Sequence, residues 1–277
     1  MQAPSTDSPG FLAGGGEMGA LIRAKDWSKT PLGPPENWPP SLRTAVSIML
    51  ETHIGMHIAW GDDYIQLYND GYRPVLGETK HPAALGLPIR VSFPEIWEDF
   101  VRPKFADVMR GEPFGAENML VPQDRNHYLE EGYFTFSYSP IRDEFGRIGG
   151  VLTTETETTE HVIRERRLRT LRNVASATST VSGLAEAGTA LMRALRENTH
   201  DVPFALLYVT NPAGTQAELS EHVRLESHEA ARPARVDLTA SSAPAWPLGN
   251  VLDTDAPRLL TDLASRFGAL PGGAWPE

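Results

Sequence analysis

Tyr133-Phe134-Thr135-Phe136-Ser137-Tyr138-Ser139-Pro140 is the stretch that decides the fold. Phe134, Phe136 and Tyr138 alternate with Tyr133, Thr135, Ser137 and Ser139. A period of two with large rings on one side predicts a strand with one buried face. Arg142-Asp143-Glu144-Phe145-Gly146 is a turn signal, and residues 147–156 predict the partner strand. Upstream, residues 115–122 predict a further strand. His57-Ile58-Ala59-Trp60, the Gly61-Asp62-Asp63 turn and Tyr64-Ile65-Gln66-Leu67-Tyr68 read as a hairpin, stopped by Asn69-Asp70-Gly71. Between them, short helices are expected near 72–76 and 81–85. One helix is expected over 95–110, with Ile96, Trp97, Phe100, Val101, Phe105, Val108 and Met109 as its apolar stripe. Pro103 should kink or split it.

The flanks follow. Residues 27–40 carry Pro31, Pro34, Pro35, Pro39 and Pro40 with Trp27 and Trp38, which predicts an extended wrap pinned by two indoles. Ser41 is the expected N-cap of a helix carrying Leu42, Ala45, Val46, Met49 and Leu50. Residues 1–16, ending in Gly14-Gly15-Gly16, read as a flexible leader. Residues 160–180 predict a helix, acidic at Glu160 and basic at Arg164, Arg166, Arg167, Arg169 and Arg172. Leu168, Leu171, Ala175 and Thr178 step by three, four and three, the spacing of a short seam against a second copy. Another helix is expected over 184–198. An apolar strand over 204–210, the Asn211-Pro212-Ala213-Gly214 turn, a strand over 216–225 and a helix near 256–267 complete the chain. Two strands make a poor closed sheet, so 201–277 is expected to be the front of a longer unit. The expected organisation is a leader (1–16), an N-terminal wrap and helix (17–55), a sheet domain (56–159), a helical linker (160–200) and a partial domain (201–277).

Composition bounds the chemistry. The chain has 277 residues, 40% hydrophobic and 22% charged, as in an ordinary globular protein. It has no cysteine. That excludes disulfides, thiolate metal sites, iron–sulfur clusters, a thiol nucleophile and any cysteine-linked cofactor. A net charge of −11 disfavours phosphate backbones, so no nucleic-acid partner is expected. The arginine-rich helix reads as a solvated or paired face, with no interleaved aromatic for base stacking. Residues 1–10 lack the pattern of a signal peptide and the apolar run in 45–50 is too short to span a bilayer. The expected setting is cytoplasmic, with no membrane contact in this segment.

Reactive motifs are few. No Walker loop occurs, and Gly14-Gly15-Gly16 with Gly19 has no preceding strand. His53 and His57 have helical metal-pair spacing, but Gly55 and the strand near Met56 break that geometry, so no metal site is expected. His161 opens a helix without the acidic neighbour and Asn-Pro of an acceptor histidine. An enzyme with a carboxylate pair is the alternative, with Glu95, Glu98 and Asp99, or Glu130 and Glu131, as candidates.

The order of elements over 56–159 resembles the PAS sensory domain, and several motifs carry the resemblance. They are Gly16-Glu17-Met18-Gly19, Trp27-Ser28, Thr30-Pro31-Leu32-Gly33-Pro34, Trp38-Pro39-Pro40-Ser41-Leu42-Arg43, Ile58-Ala59-Trp60-Gly61, Leu67-Tyr68-Asn69-Asp70 and 133–143 with Gly149-Gly150. The resemblance covers about 16–172. It implies an α+β fold: a five-stranded antiparallel sheet with flanking helices, then a helical linker. Val202-Pro203-Phe204-Ala205 and Asp262-Leu263-Ala264-Ser265 resemble the opening of a GAF domain, a partial α+β unit. The resemblance further implies a bacterial two-component sensor, with a kinase or other output downstream in the same polypeptide. Thr156, Glu157, Thr158, Thr159 and Glu160 would relay the signal into the helix, and a homodimer would form along it. The flavin-type members need a cysteine, and haem-binding members a histidine on the long helix. Residues 95–110 have none, so flavin and haem are not expected. A small organic ligand is left, with Trp60, Tyr68, Asn69, Trp97, Phe100, Phe136 and Tyr138 as candidate pocket residues. The bland alternatives are that the aromatics are core and that Asn69 serves its turn; a purely protein-binding PAS scaffold that takes no ligand is the other alternative to the sensory reading.

Overall fold

The computed structural model describes residues 9–179, 181–239 and 245–273. The chain divides into two compact units, Met1–Val162 and Ile163–Glu277. In the first, a 3-10 turn Gly10–Leu12 precedes α1 (Gly16–Ala24) and α2 (Pro40–Glu51), then β1 (Gly55–Trp60) and β2 (Ile65–Tyr68). Next come α3 (Arg73–Lys80), α4 (Ile89–Ser92), α5 (Pro94–Ile96), a π-helical turn Trp97–Val101 and α6 (Arg102–Met109). Then follow β3 (Phe114–Leu120), the small hairpin β4 (Gln123–Asp124) and β5 (Leu129–Glu130), β6 (Tyr133–Arg142) and β7 (Ile148–Glu157). Helix α7 (Thr159–Ser179) begins in this unit.

The main sheet has the order β2-β1-β7-β6-β3, antiparallel throughout. A five-stranded antiparallel sheet flanked by helices matches a PAS-like core. Its two faces follow from the alternation in β6 and β7. Phe134, Phe136 and Tyr138 are buried on the inner face, where α6 lies against β3, β6 and β7. Met56, Ile58 and Leu67 are buried on the opposite face, where α2 lies against β1, β2 and β6. Both faces are thus covered in part, and both contribute to one hydrophobic core.

The proline-rich wrap is held as its indoles predict. Trp27 and Trp38 are each 2% exposed and meet edge to face, with centroids 5.1 Å apart. Their Nε1 groups donate to Ile22 O (2.8 Å) and Gly33 O (2.9 Å). Pro39 and Pro40 replace Ser41 at the start of α2: Pro40 fills the first helical position, where no N–H is needed. The Ser41 amide instead donates to Glu144 Oε1 at 2.7 Å, a carboxylate placed at the positive end of the helix.

Other expectations are corrected. Residues 9–16 are not a loose leader: Leu12 is buried and Arg23 donates to Leu12 O and Gly14 O. Residues 1–8 of that leader lie outside the described residues. The helix near 81–85 is a series of turns. The helix over 95–110 breaks before Pro103, at Ile96, whose φ and ψ are −123° and 2°. Pro103 lies in the first turn of α6, where a proline is tolerated.

The second unit holds α8 (Leu184–Glu197), β8 (Ala205–Thr210), β9 (Gln216–Val223), β10 (Arg235–Asp237), α9 (Leu248–Thr254) and α10 (Leu263–Phe267). Its sheet has three strands, β10-β9-β8, one more than the sequence pattern predicts. The helix expected near 256–267 is confined to α10 because Pro257 breaks the earlier part. Leu184, at the start of α8, is 74% exposed, while Met192 and Ala194 are buried. Arg166 makes a bidentate pair with Asp201, both bonds 2.8 Å.

Trp38→Phe removes one partly buried hydrogen bond and part of one ring. It should cost about 1–2 kcal/mol of unfolding free energy in urea, and Trp38→Ala about 3–5 kcal/mol. A Trp38→Ala cost near zero would show that the wrap does not stabilise the core.

Candidate functional site

Strand register builds the site. Tyr68 pairs with His57, His57 with Thr153, Thr153 with Tyr138 and Tyr138 with Phe114. These side chains form one row across all five strands on the inner face. In the next row Glu155 pairs with Phe136 on one side and with Gly55, which has no side chain, on the other. Tyr72 stacks on His57 with centroids 5.0 Å apart, and Phe105 meets Tyr138 edge to face at 5.0 Å. Phe100, from the π-helical turn, meets Phe136 at 6.0 Å.

A cavity of about 20 Å³ lies under these groups, lined by Tyr72, Gln123, Phe136, Tyr138, Thr153 and Glu155 with apolar neighbours. That volume holds one water-sized species. The row is polar and incompletely bonded. Thr153 Oγ1, Gln123 Oε1 and both nitrogens of His57 have no hydrogen-bond partner among the described residues. Burial pushes the His57 imidazole down to about 4, opposed in part by the nearby Gln66. Burial, then the Glu157 charge, pushes the Glu155 carboxyl up to about 8, against the pull of Arg125. Burial also raises the phenols of Tyr72 and Tyr138.

The strand exit lies beside this cavity. Arg125 is 8% exposed and makes a two-bond pair with Glu157, Nη1 to Oε2 at 2.8 Å and Nη2 to Oε1 at 2.7 Å. It also donates to Glu130 Oε2 (3.0 Å) and Pro74 O (3.0 Å). Burial raises the Glu157 carboxyl, but hydrogen bonds from Arg125 and Thr159 outweigh it and hold the group below its ordinary range. Thr159 Oγ1 donates to Glu157 Oε1 at 2.7 Å and accepts from the Tyr133 amide at 2.9 Å. The Thr158 amide donates to Tyr133 O at 2.7 Å. The first turn of α7 is therefore tied to β6, β7 and the β4–β5 hairpin. A groove of about 580 Å³ runs alongside, lined by Asp70, Arg73, His81, Arg125 and Glu157 among others.

The seven candidate pocket residues separate. Phe100, Phe136 and Tyr138 line the cavity. Tyr68 is buried in the same face, its hydroxyl 3.1 Å from His81 Nδ1. Trp97 packs on Tyr64 at 5.9 Å, away from the cavity. Trp60 follows Ala59 and so faces the other side of the sheet, across Gly149 and Gly150, where any Cβ would meet its ring. Asn69 serves its turn: its amide nitrogen donates to Met49 O, Thr52 O and Ile54 O, and its oxygen accepts from the Met56 and Tyr72 amides.

Among the carboxylate candidates, Glu98 is 66% exposed and paired with Arg102, Glu95 pairs with Lys80, and Glu130 pairs with Arg125. Asp99 is exposed and Glu131 half-buried. The adjacent acidic pair on the inner face is Glu155 and Glu157. The alternation Val151, Thr153, Glu155, Glu157 could have placed it there. Arg125 carried no sequence signal. His53 is exposed after α2 while His57 is buried in β1, so the two do not converge. Asp70 fills the start of α1, accepting from the Glu17 and Met18 amides at 3.0 and 2.8 Å, so the glycine-rich helix start is occupied by a side-chain carboxylate of the same chain. Among the described residues no cluster of three or more His, Asp or Glu is placed to hold a metal, and no helix is long and apolar enough to cross a membrane. With no cysteine, a chromophore has no thioether attachment point.

No family model matches the chain, and no curated protein matches it. Solved structures similar to it include a sensory box sensor histidine kinase from Vibrio cholerae (19% identity, 38% of this chain and 81% of that chain, TM-score 0.29). The PAS domain of Bordetella pertussis BvgS is also similar (19% identity, 45% and 91%, TM-score 0.29). So is an RNA-binding light-oxygen-voltage receptor (18% identity, 44% and 34%, TM-score 0.35), about a third of whose length the chain spans. The fold assignment rests on the strand order and pairing above.

Two groups on the inner face of the sheet set opposite pH slopes. Between about 6.5 and 4 the unfolded chain protonates His57 and the folded chain does not, so stability falls as pH drops. Between about 4.5 and 8 the folded chain keeps the Glu155 proton and the unfolded chain does not, so stability falls as pH rises. From about 6.5 to 8 only the Glu155 slope remains. Urea unfolding should weaken over that window by on the order of 1 kcal/mol per pH unit, and Glu155→Gln should flatten the slope. An identical slope in the variant would contradict the assignment.

Proposed function

We propose that the chain is the input module of a bacterial two-component signalling protein. The sheet domain takes up a small ligand or a partner's state and passes it through the end of β7 into α7. A downstream output, a histidine kinase in the same polypeptide, reads the helix. Residues 201–277 are taken as the start of a GAF-like unit between them. The observation that carries this reading is the web joining Arg125, Glu157, Thr159 and Tyr133. Glu155 lines the cavity and lies two residues before Glu157 on the same face of β7, so a change of charge at Glu155 acts on the Arg125–Glu157 pair directly. Thr156, Thr158 and Glu160 flank this web and complete the proposed relay. A cavity of about 20 Å³ favours a water-sized species over a larger organic molecule.

The output surface is the far part of α7. Leu168 and Leu171 are 45% and 64% exposed, and no residue of α7 is buried. With Ala175 and Thr178 they form the proposed seam for a second copy, and two α7 helices shifting along it would carry the signal.

Thr159→Val deletes the hydroxyl that bonds Glu157 and Tyr133. Amide exchange in the first turn of α7, read at Val162, should quicken about tenfold while β1 and β2 stay protected. Unchanged exchange at Val162 would sink the relay. Leu171→Asp should shift the whole chain to monomer in sedimentation at concentrations where the parent is dimeric. A parent that stays monomeric at high concentration would remove the helix seam.

A further inference from the structure

The lining of the small inner cavity is lopsided in charge. It presents one carboxylate (Glu155), the acceptor Gln123 Oε1 and the hydroxyl Thr153 Oγ1, and no cationic side chain. Gln123 and Thr153 are 4% and 2% exposed, and those two atoms have no hydrogen-bond partner among the described residues. The remaining wall is largely aromatic, with Tyr72, Phe93, Phe100, Phe136 and Tyr138. Ring faces carry negative potential and favour a cation. An anion would meet the carboxylate. A hard metal ion would want more charged oxygen ligands than the single carboxylate here. An ammonium nitrogen has N–H donors enough for all three acceptors and can turn its last one to a ring.

We infer that this cavity is a site for one ammonium-sized cation, NH4+ or the head of a primary amine, held by Glu155, Gln123 and Thr153. The inference rests on the cavity being the module's input and names what enters it.

Binding is an exchange of cation for proton. The Glu155 carboxyl holds a proton at neutral pH because of burial and the Glu157 charge. When the cation enters, the O–H bond breaks, its electron pair stays on the carboxylate and the proton leaves to solvent. The charged and titratable groups facing Glu155 are Glu157 on its own strand, Arg125 beside the β4–β5 hairpin, and the phenols of Tyr72 and Tyr138. A newly charged Glu155 competes with Glu157 for Arg125, and Glu157 is the acceptor of the Thr159 hydroxyl in α7.

The test uses the whole chain near neutral pH at constant ionic strength. Melting temperature is followed with added ammonium, methylammonium, tetramethylammonium and sodium chloride, and proton release is read by calorimetry in two buffers. The expected result is a saturable rise with ammonium, a smaller one with methylammonium and none with the other two. About one proton should be released per cation. Glu155→Gln should weaken the ammonium effect at least about tenfold. Thr153→Val should weaken it as well, and decides the matter if Glu155→Gln does not fold. Equal melting in ammonium and sodium, or an undiminished ammonium effect in the variants, overturns the site. A larger amine outperforming ammonium identifies the amine head as the source and upholds the site. Ammonium binding with unchanged exchange at Val162 upholds the site and contradicts the signalling reading. Absent binding removes the site and leaves the α7 web as it was.

Discussion

A guanidinium taken out of water must be matched by charge where it lands, and Arg125 is the place where this protein meets that condition. Its planar fork pairs both oxygens of Glu157 and reaches Glu130 and Pro74 O. Four segments converge on one side chain: the start of α3, the β4–β5 hairpin, the end of β7 and, through Thr159, the start of α7. The backbone of α3 approaches closely as well, since Gly77 has φ +60° and any Cβ there would collide with the Arg125 main chain. Lysine would not serve, because a single ammonium lacks the fork that spans both carboxylate oxygens. The exit of the sheet is thus fixed by an ion pair whose loss leaves a buried charge.

Behind that pair lies a sheet face that is packed but not fully bonded. His57, Thr153 and Gln123 are buried with unpartnered polar atoms, and the Glu155 carboxyl is held neutral by its surroundings. Such groups cost stability in a plain core. Thr153, Glu155 and Glu157 alternate along the inner face of β7, with Gln123 across the cavity and His57 beside Thr153 in β1. The π-helical turn Trp97–Val101 puts Phe100 over the same cavity, and π turns recur where function deforms a helix.

Much of this was legible in the residues. The alternation of Phe134, Phe136 and Tyr138 named the buried face of β6, and Trp27 and Trp38 announced how a proline-rich wrap could be anchored. Local signals sufficed in both cases. At the start of α2 the sequence misleads, because Ser41 is a good cap by type, while the prolines before it already fix the backbone and supply the first helical residue. The ring of Trp60 alone suggests the cavity, but one residue of β-strand separates opposite faces. Glu155 and Arg125 escaped because their role comes from partners far along the chain. Glu155 is made unusual by burial, and Arg125 by Glu157, 32 residues away. No local pattern encodes that distance.

The most direct test of the coupling is a double-mutant cycle on Arg125→Met and Glu157→Gln, read as the exchange free energy of the first α7 turn. If the pair holds the helix to the sheet, the coupling energy is about 1.5–3 kcal/mol, and the double variant is no worse than the poorer single one. Additive effects, with a coupling near zero, would contradict the account.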